Sequence, residues 1–182
     1  MKRLFLNEIY YSLNLDKYSF RKDNRNFSIE LLKDIYKKYS GKKIIVAGNG
    51  PSLLKTELSL LDNRRDQFVL LASNGFYLYT EKYNVKADIL TVEDPYPAED
   101  MKNEIINYDS YKIIPFDLIN TIIPDNKQIA YINFRRRLAF NKFLGFKFGN
   151  DLINGNFYWG CTVTYLLLQI AASLKPKAVF LV

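Results

Sequence analysis

The stretch IIVAGNGPSL, Ile44 to Leu53, decides the fold of this chain. An apolar run passes directly into a glycine-rich turn, and Pro51 suits the first position of a helix. The pattern predicts a buried strand, a tight turn and a helix start. Gly48 and Gly50 permit backbone angles closed to other residues and let a ligand approach the main chain, while the N–H groups of a helix start favour an anion.

The same turn excludes two common nucleotide motifs. A dinucleotide fingerprint needs a third glycine where Leu53 stands, and a P-loop needs a Gly-Lys-Ser/Thr sequence, which the chain lacks. Two interpretations stay open, a phosphate-facing turn of another kind or an ordinary strand-to-helix connection. In the first, the predicted nucleotide contacts are Gly48, Asn49, Gly50, Pro51 and Ser52.

Apolar runs and amphipathic segments alternate along the rest of the chain. Near-continuous apolar strands separated by helices favour a mostly parallel sheet that is covered on both faces. The sequence therefore predicts an α/β fold, a Rossmann-like doubly wound sheet with helices on both faces. The predicted strands cover residues 43–47, 68–72, 87–92, 111–114, 128–134 and 177–182, and the predicted helices cover residues 28–39, 53–61, 97–108 and 160–174.

The chain is expected to divide at residue 28. Residues 1–27 mix charged and aromatic residues without a clear period, which indicates an N-terminal extension with a short helix at 8–13. Ser28 suits the N-cap of the next helix and Gly41 suits its stop, so a nucleotide-binding domain is expected over residues 28–182. Because no loop follows the last strand, where site residues usually lie, this domain is predicted to be truncated at its C-terminus.

Polar residues follow three of the predicted strands. Ligands of doubly wound sheets lie beyond the carboxyl ends of the strands, so Asn49, Asn74 and Asp94 are expected to converge on one crevice, with Gly75 beside Asn74. Each could instead be a turn former. Glu93 and Asp94 are the only strand-end carboxylates suited to act as a catalytic base, and Glu93 could equally be a structural cap.

Composition narrows the chemistry. The 182 residues are 48% hydrophobic, enough for one packed core, and contain one cysteine, Cys161, and no histidine. The chain therefore offers no intrachain disulfide, no zinc ligand set and no Ser-His or Cys-His nucleophile system, and any metal would be held by oxygen ligands. The apolar segment 163–174 is too short to cross a bilayer and no signal peptide is recognisable, so a cytoplasmic protein is predicted.

The net charge of +7 predicts an anionic partner. Its densest run is Arg135, Arg136 and Arg137, which would be either a solvated loop or a clamp for a phosphate or an acidic sugar. The sequence shows neither a basic recognition helix nor a paired aromatic motif, so a nucleic-acid partner is not expected. Peripheral contact with the inner membrane is compatible with this charge.

Four segments carry a resemblance to a known group of proteins. They are IIVAGNGPSL at 44–53, SNGFYLY at 73–79, TVEDPYPAED at 91–100 and WGCTVTYLLLQIAASLKPKAVFLV at 159–182. In the order and spacing of these segments, the chain resembles a bacterial family of unknown function. That family is similar to the sialic-acid-type (nonulosonate) glycosyltransferases and to archaeal 6-hydroxymethylpterin diphosphokinase-like proteins.

The resemblance to the glycosyltransferase branch implies a CMP-sugar donor lying across the strand ends. Asn49, Gly50 and Ser52 would contact the nucleotide, with Asn74 nearby. The acid/base histidine of that branch follows the last strand and so falls outside this chain, while Gly160 matches the glycine that opens the late helix. Together with the charge pattern, the resemblance gives these expected substrate or phosphate contacts: Asp94, Gly160, Thr162, Arg135, Arg136 and Arg137.

Three functions are compatible with these patterns. The first is a sialyltransferase-like glycosyltransferase of surface-polysaccharide or glycoconjugate synthesis, with a nucleotide-sugar and a glycan acceptor as partners and no required cofactor. The second is a pyrophosphokinase-type transferase, which would need Mg²⁺ held by Asp94 and Glu93. The third is a non-catalytic nucleotide-binding module. All three predict a ligand at the turn after Ala47.

Overall fold

The computed structural model describes residues 15–123, 128–136, 140–141 and 145–182. The predicted helix at 8–13 lies outside them. The strands are β1 (Lys43–Ala47), β2 (Phe68–Ser73), β3 (Ile89–Thr91), β4 (Tyr111–Pro115), β5 (Ile129–Ile132), β6 (Phe134–Arg135), β7 (Phe140–Asn141), β8 (Gly145–Phe146), β9 (Phe157–Tyr158) and β10 (Ala178–Leu181). The α-helices are α1 (Leu15–Tyr39), α2 (Phe76–Tyr83), α3 (Pro95–Asp100), α4 (Lys102–Asn107) and α5 (Val163–Ser173), with 3₁₀ helices at Pro51–Lys55, Leu58–Arg64 and Phe116–Leu118.

Six strands form one parallel sheet in the order β10-β1-β2-β3-β4-β5. Strands β1 to β5 step across the sheet in chain order, and the chain then crosses back so that Lys43 of β1 lies between Phe68 and Ala178. The predicted Rossmann-like doubly wound fold is confirmed. The direction of winding reverses between β1 and β10, and sheets of this kind bind ligands beyond the carboxyl ends of such a strand pair.

Both faces of the sheet are packed. Successive side chains of a strand point to opposite faces. Ile44 and Val46 therefore pack in the cluster that contains α1 and α5, while Ile45 and Ala47 pack in the cluster that contains α2, α3 and α4. Both faces need apolar side chains, which explains why the strands read as continuous apolar runs.

Helix α1 shows that the predicted N-cap at Ser28 is wrong. The helix runs from Leu15, and Ser28 lies buried within it. The Ser28 hydroxyl donates to the Asn24 carbonyl at 2.6 Å and accepts the Tyr131 N–H at 2.9 Å, so this residue ties the helix to β5. Gly41, with φ +72°, follows the end of the helix as predicted. The division of the chain at residue 28 stays a prediction.

Two other predicted helices are interrupted. The segment 53–61 forms two 3₁₀ helices because Thr56 and Glu57 leave the helical region, and the Tyr79 hydroxyl holds the Thr56 carbonyl at 2.8 Å. The segment 97–108 forms α3 and α4, which are separated at Met101. Helix α3 begins earlier than predicted because Asp94 caps it. Within the described residues, no helix is both long and apolar enough to cross a membrane.

Lys112, near the start of β4, is a buried cation in the sheet. Its side chain in β4 has no exposed surface, and its Nζ has no hydrogen-bond partner among the described residues. Burial lowers the pKa of Lys112 from 10.5 to about 8, with a smaller opposing effect from the Asp109 carboxylate. The charged form of this side chain therefore opposes folding at neutral pH.

Replacing Lys112 by methionine is expected to raise the free energy of unfolding at pH 7 by about 2 kcal/mol, since an apolar side chain of similar length removes an unpartnered buried charge. The native state favours the neutral amine, so the wild type should gain stability between pH 8 and 10.5, and Lys112→Met should not. Urea unfolding at pH 7 and pH 10 measures both effects. Lys82→Met, on the exposed surface of α2, is the control, and equal stability of Lys112→Met and wild type at pH 7 would contradict the prediction.

Candidate functional site

The glycine turn lies where the direction of winding reverses. Gly48 follows β1, and its N–H donates to the Val182 carbonyl at 3.0 Å, so this amide is already engaged. Gly50 has φ −77°, and neither it nor Gly48 lies in the left-handed region that Gly41 adopts. The prediction that these two glycines use backbone angles closed to other residues is wrong. What they provide is an open surface, since residues 49–52 are exposed.

The helix that faces this turn is α5. Pro51 begins a 3₁₀ helix of five residues, which is too short for the predicted dipole to be strong. A Cβ placed on Gly48 would lie 3.9 Å from Oγ1 of Thr164, in the first turn of α5. Thr162 caps that helix by accepting the Thr164 N–H at 3.0 Å. The helix end that favours an anion beside Gly48 is therefore that of α5.

The loops after β1 and β2 are in contact. A Cβ placed on Gly75 would lie 3.0 Å from Nδ2 of Asn49, so the Asn49 side chain packs against the Gly75 backbone. Asn74 lies beside them, and its Nδ2 points to Sδ of Met101 at 3.6 Å. The geometry brings together Asn49 and residues 74–75, and their contacts with a nucleotide stay predictions.

A charged cluster joins the loops beyond β3 and β4. The Arg136 guanidinium donates through Nε to Oδ2 of Asp117 and through Nη2 to the Glu93 carbonyl, the latter at 2.7 Å. The Trp159 side chain lies near enough to the Glu93 carboxylate to lower its pKa. Four side chains from segments after four different strands therefore meet at the carboxyl edge of the sheet.

Glu93 has the most perturbed carboxyl group of this cluster. The residue is 5% exposed. Burial raises the pKa of Glu93 from 4.5 to about 7, and the Asp94 and Asp117 carboxylates add to the rise, while the Arg136 guanidinium and the Trp159 side chain oppose it. A buried strand-end carboxyl that titrates near neutrality marks a candidate functional site.

Buried polar atoms without a hydrogen-bond partner gather at the same edge. In the part of the chain that the structure describes, three of the four such side-chain atoms follow adjacent strands: Oγ of Ser73 ends β2, Oε2 of Glu93 follows β3, and Oδ1 of Asp117 follows β4. Leaving such an atom unsatisfied costs about 1–3 kcal/mol, so each one needs an explanation. A ligand that hydrogen-bonds these atoms at the carboxyl ends of β2 to β4 would explain them.

Asp94 lies beside this cluster and is exposed. Its Oδ1 accepts the Tyr96 N–H at 2.9 Å and caps α3. Among residues 15–123, 128–136, 140–141 and 145–182, no group of three or more His, Cys, Asp or Glu is placed to hold a metal. Mg²⁺ commonly takes one or two carboxylates and completes its shell with water and substrate phosphates. Asp94 fits that requirement, since Glu93 and Asp117 lie near it and each has a carboxylate oxygen without a hydrogen-bond partner among the described residues.

The arginine run is divided by the fold. Arg136 is half-buried and bonded to the protein's own carboxylate, whereas Arg135 is exposed and its Nε donates to Oδ1 of Asn156 at 3.2 Å. Arg137 lies outside the described residues. A phosphate or acidic-sugar clamp at this run stays a prediction, and Arg136 already has a structural task there.

Gly160 precedes α5 and does not open it, contrary to the expectation from the sequence. The helix begins at Val163 because Thr162 provides the cap. A Cβ placed on Gly160 would lie 2.3 Å from ring carbons of Tyr165, whose hydroxyl donates to the Lys147 carbonyl at 2.7 Å. Gly160 therefore lets the Tyr165 ring pack against the backbone.

Replacing Gly160 by alanine is expected to lower the free energy of unfolding by about 2 kcal/mol, because the added methyl group must displace the Tyr165 ring. Gly50→Ala is the matched control. The nearest atom to its Cβ would be Oγ of Ser52 at 3.6 Å, so its stability should stay at the wild-type value. Urea unfolding of the two variants tests this, and equal losses in both would contradict it.

Sequence reasoning missed three residues of this site, namely Ser73, Asp117 and Trp159. Asp117 follows a strand in the same way as Asp94. The rule that ligands lie beyond the carboxyl ends of the strands, which we call the strand-end rule, could therefore have found it. Trp159 is the single tryptophan of the chain and lies in a segment that carried the resemblance. Nothing in the sequence indicated that Ser73 would lack a partner.

Comparison with known proteins places the chain in a family. A search of curated proteins finds no match. The family model described as 6-hydroxymethylpterin diphosphokinase MptE-like matches residues 19–182, most of the chain. The similarity to pterin diphosphokinase-like proteins that four sequence segments indicated is thereby confirmed. The chain belongs to the 6-hydroxymethylpterin diphosphokinase MptE-like family.

Proposed function

We propose that this protein is a Mg²⁺-dependent transferase that moves a diphosphate group from a nucleoside triphosphate to the hydroxymethyl group of a pterin-like acceptor in the cytoplasm. The family match supports this function over the glycosyltransferase interpretation, which stays a prediction. The observation that carries the proposal is Glu93, a buried strand-end carboxyl group with a pKa of about 7.

Glu93 would act as the general base. A base is most effective when its pKa lies near the operating pH. The acceptor oxygen attacks the β-phosphorus and forms the new P–O bond, while its proton passes to the Glu93 carboxylate. The bond between the β-phosphorus and the oxygen that bridges it to the α-phosphorus breaks. The nucleoside monophosphate leaves with the electron pair of that bond.

The phosphates would lie between the glycine turn and α5. The backbone N–H groups of Asn49, Gly50 and Ser52 belong to an exposed turn that lies beside the first turn of α5, and both groups of donors would favour an anion. Mg²⁺, held by Asp94 together with phosphate oxygens, would neutralise part of the phosphate charge. The Asp94 carboxylate contributes to the raised pKa of Glu93, so the base and the metal ligand would lie near each other beyond β3.

In this proposal, an acceptor would reach Glu93 by passing the Trp159 side chain. Glu93 is almost fully buried, whereas Trp159 is 38% exposed. An acceptor would reach the carboxylate when the indole moves aside. Because Trp159 is the single tryptophan of the chain, its fluorescence should change when an acceptor binds.

The test combines binding and turnover. Mg²⁺-ATP should raise the melting temperature. 6-Hydroxymethylpterin should change the fluorescence of Trp159. With both substrates present the protein should form AMP, which chromatography measures. Glu93→Gln should still bind Mg²⁺-ATP but lose about 100-fold or more of the AMP formation. Gly50→Ala should abolish the nucleotide-induced shift while leaving the fold intact. Glu99→Gln, an exposed carboxylate of α3, is the matched control and should keep wild-type turnover.

Three results would overturn this function. Stabilisation by CMP without metal would favour the glycosyltransferase. If no nucleotide raises the melting temperature, that result would favour a non-catalytic module. Turnover by Glu93→Gln at the wild-type rate would remove the base assigned here.

A further inference from the structure

The edge of the sheet opposite the candidate site is basic. In a parallel sheet all strands start at one edge, and the described parts of the segments that lead into the six strands are 37–43, 64–67, 84–88, 108–111, 128 and 174–177. These segments carry nine basic residues, which we call the basic edge: Lys37, Lys38, Lys42, Lys43, Arg64, Arg65, Lys86, Lys175 and Lys177. The acidic residues of the same segments are Asp66, Asp88 and Asp109.

Within the described residues, ion pairs involve two of these nine cations. Arg65 pairs with Asp88 at 3.2 Å, and Lys86 pairs with Asp109 at 2.8 Å. Three other lysines lie over aromatic rings, with Nζ-to-centroid distances of 4.9 Å for Lys38 and Tyr111, 5.8 Å for Lys42 and Tyr39, and 5.2 Å for Lys43 and Phe68. The basic edge therefore keeps a positive excess, whereas the carboxyl edge presents the carboxylates of the candidate site.

Helix dipoles account for part of the basic edge. Lys37 and Lys38 lie in the last turn of α1, where a cation stabilises a helix. Lys42, Lys43 and Lys177 stand at or directly before strands, where no helix end calls for a cation. The excess is therefore larger than folding of the helices explains.

We propose that the basic edge docks on an anionic membrane surface. Seven of its nine cations are lysines, which act as point charges and need no fixed partner geometry. They are spread over loops from several strands, so they suit a fluid layer of anionic headgroups, which attracts clustered basic residues. Docking in this way leaves the candidate site, at the opposite edge of the sheet, open to water.

The proposal commits to a bilayer and not to nucleic acid. Sequence-specific nucleic-acid recognition uses an element that enters a groove or stacks on bases. The basic edge is made of the short loops that start strands, and it includes a cavity of about 350 Å³ whose lining contains both cations and carboxylates. Such a surface matches mobile headgroups better than a row of fixed phosphates.

Vesicle co-sedimentation tests the proposal. The wild-type protein should bind phosphatidylcholine vesicles that contain about 30% phosphatidylglycerol, at least tenfold more tightly than pure phosphatidylcholine vesicles, and binding should weaken as salt is raised. A triple variant, Lys37→Glu with Arg64→Glu and Lys177→Glu, changes three exposed cations from three segments and should weaken binding at least tenfold. The matched control, Lys55→Glu with Lys102→Glu and Lys147→Glu, has the same net charge and should retain binding within threefold.

Several outcomes would overturn it. These are absence of binding to the anionic vesicles, equal losses in the two triple variants, and displacement of the protein from vesicles by a lower concentration of RNA or duplex DNA phosphate than of anionic lipid. Circular dichroism checks the fold of each variant. If the glutamate triple variant fails to fold, glutamine at the same three positions should still weaken binding at least threefold.

Discussion

Replacing Gln169 by leucine is expected to lower the free energy of unfolding by about 4 kcal/mol. Gln169 lies fully buried in α5, and its Oε1 accepts the N–H groups of Gly149 and Tyr158, both at 2.9 Å. Its Nε2 donates to the Tyr158 carbonyl at 2.8 Å. Leucine fills a similar volume but leaves two backbone donors, one buried and one part-buried, without this acceptor, and each such group costs about 1–3 kcal/mol.

The same substitution should disturb the candidate site. Tyr158 immediately precedes Trp159, so Gln169 fixes the end of the loop that carries the indole to Glu93. Urea unfolding followed by circular dichroism measures stability, and the emission of Trp159 in the folded variant reports the loop. Gln67→Leu, at an exposed position before β2, is the control and should change stability by about 0.5 kcal/mol or less. A loss below about 1 kcal/mol in Gln169→Leu would show that water replaces the missing partner.

The stability of the metal-free protein is expected to fall by up to about 3 kcal/mol between pH 5 and pH 8, and Glu93→Gln should remove this fall. The pKa of Glu93 is raised from 4.5 to about 7 by burial. The native state therefore binds the proton more tightly than the unfolded state. Below pH 4.5 both states are protonated, and above pH 7 the folded state carries the cost of a buried carboxylate, about 1.36 kcal/mol for each pKa unit.

Comparing Glu93→Gln with the wild type isolates the contribution of the Glu93 carboxyl group to the pH dependence of stability. Glutamine has the shape of the protonated acid and no charge, so Glu93→Gln should be more stable than the wild type at pH 8 and similar to it at pH 5. Unfolding curves in EDTA at several pH values measure the difference. The interval ends at pH 8 because Lys112 begins to titrate there. Glu99→Gln should keep the wild-type profile, and a fall in Glu93→Gln as large as that of the wild type would assign the effect to other groups.

Much of the sheet could be predicted from the sequence because burial of a strand leaves a local pattern. The prediction for β1, residues 43–47, agrees with the structure at both ends, since an apolar run meets a glycine there. The predicted strand 87–92 is shortened to Ile89–Thr91, and 128–134 is divided into β5 and β6. Helix boundaries were less predictable, because Ser28 bonds a strand that lies 103 residues further along the chain.

The candidate site was predictable only in outline. The strand-end rule pointed to Glu93 and Asp94, since both directly follow an apolar run. It could not indicate that Arg136 would bond Asp117 and the Glu93 carbonyl, because those contacts join residues 19 and 43 positions apart. The arginine run therefore looked like a free clamp in the sequence, although its middle residue is engaged in the fold.

By itself, the sequence determined the doubly wound sheet and the family, because alternating burial and short motifs are local properties of the chain, and it predicts the edge at which a ligand would lie. Only the tertiary structure decided which polar groups have a hydrogen-bond partner within the described residues and which do not. The Gly48 amide donates to the Val182 carbonyl, while Oε2 of Glu93 has no hydrogen-bond partner among the described residues and burial raises the pKa of Glu93 to about 7. Burial and hydrogen bonding depend on neighbours brought from distant segments, so only the folded chain sets the chemistry at this edge.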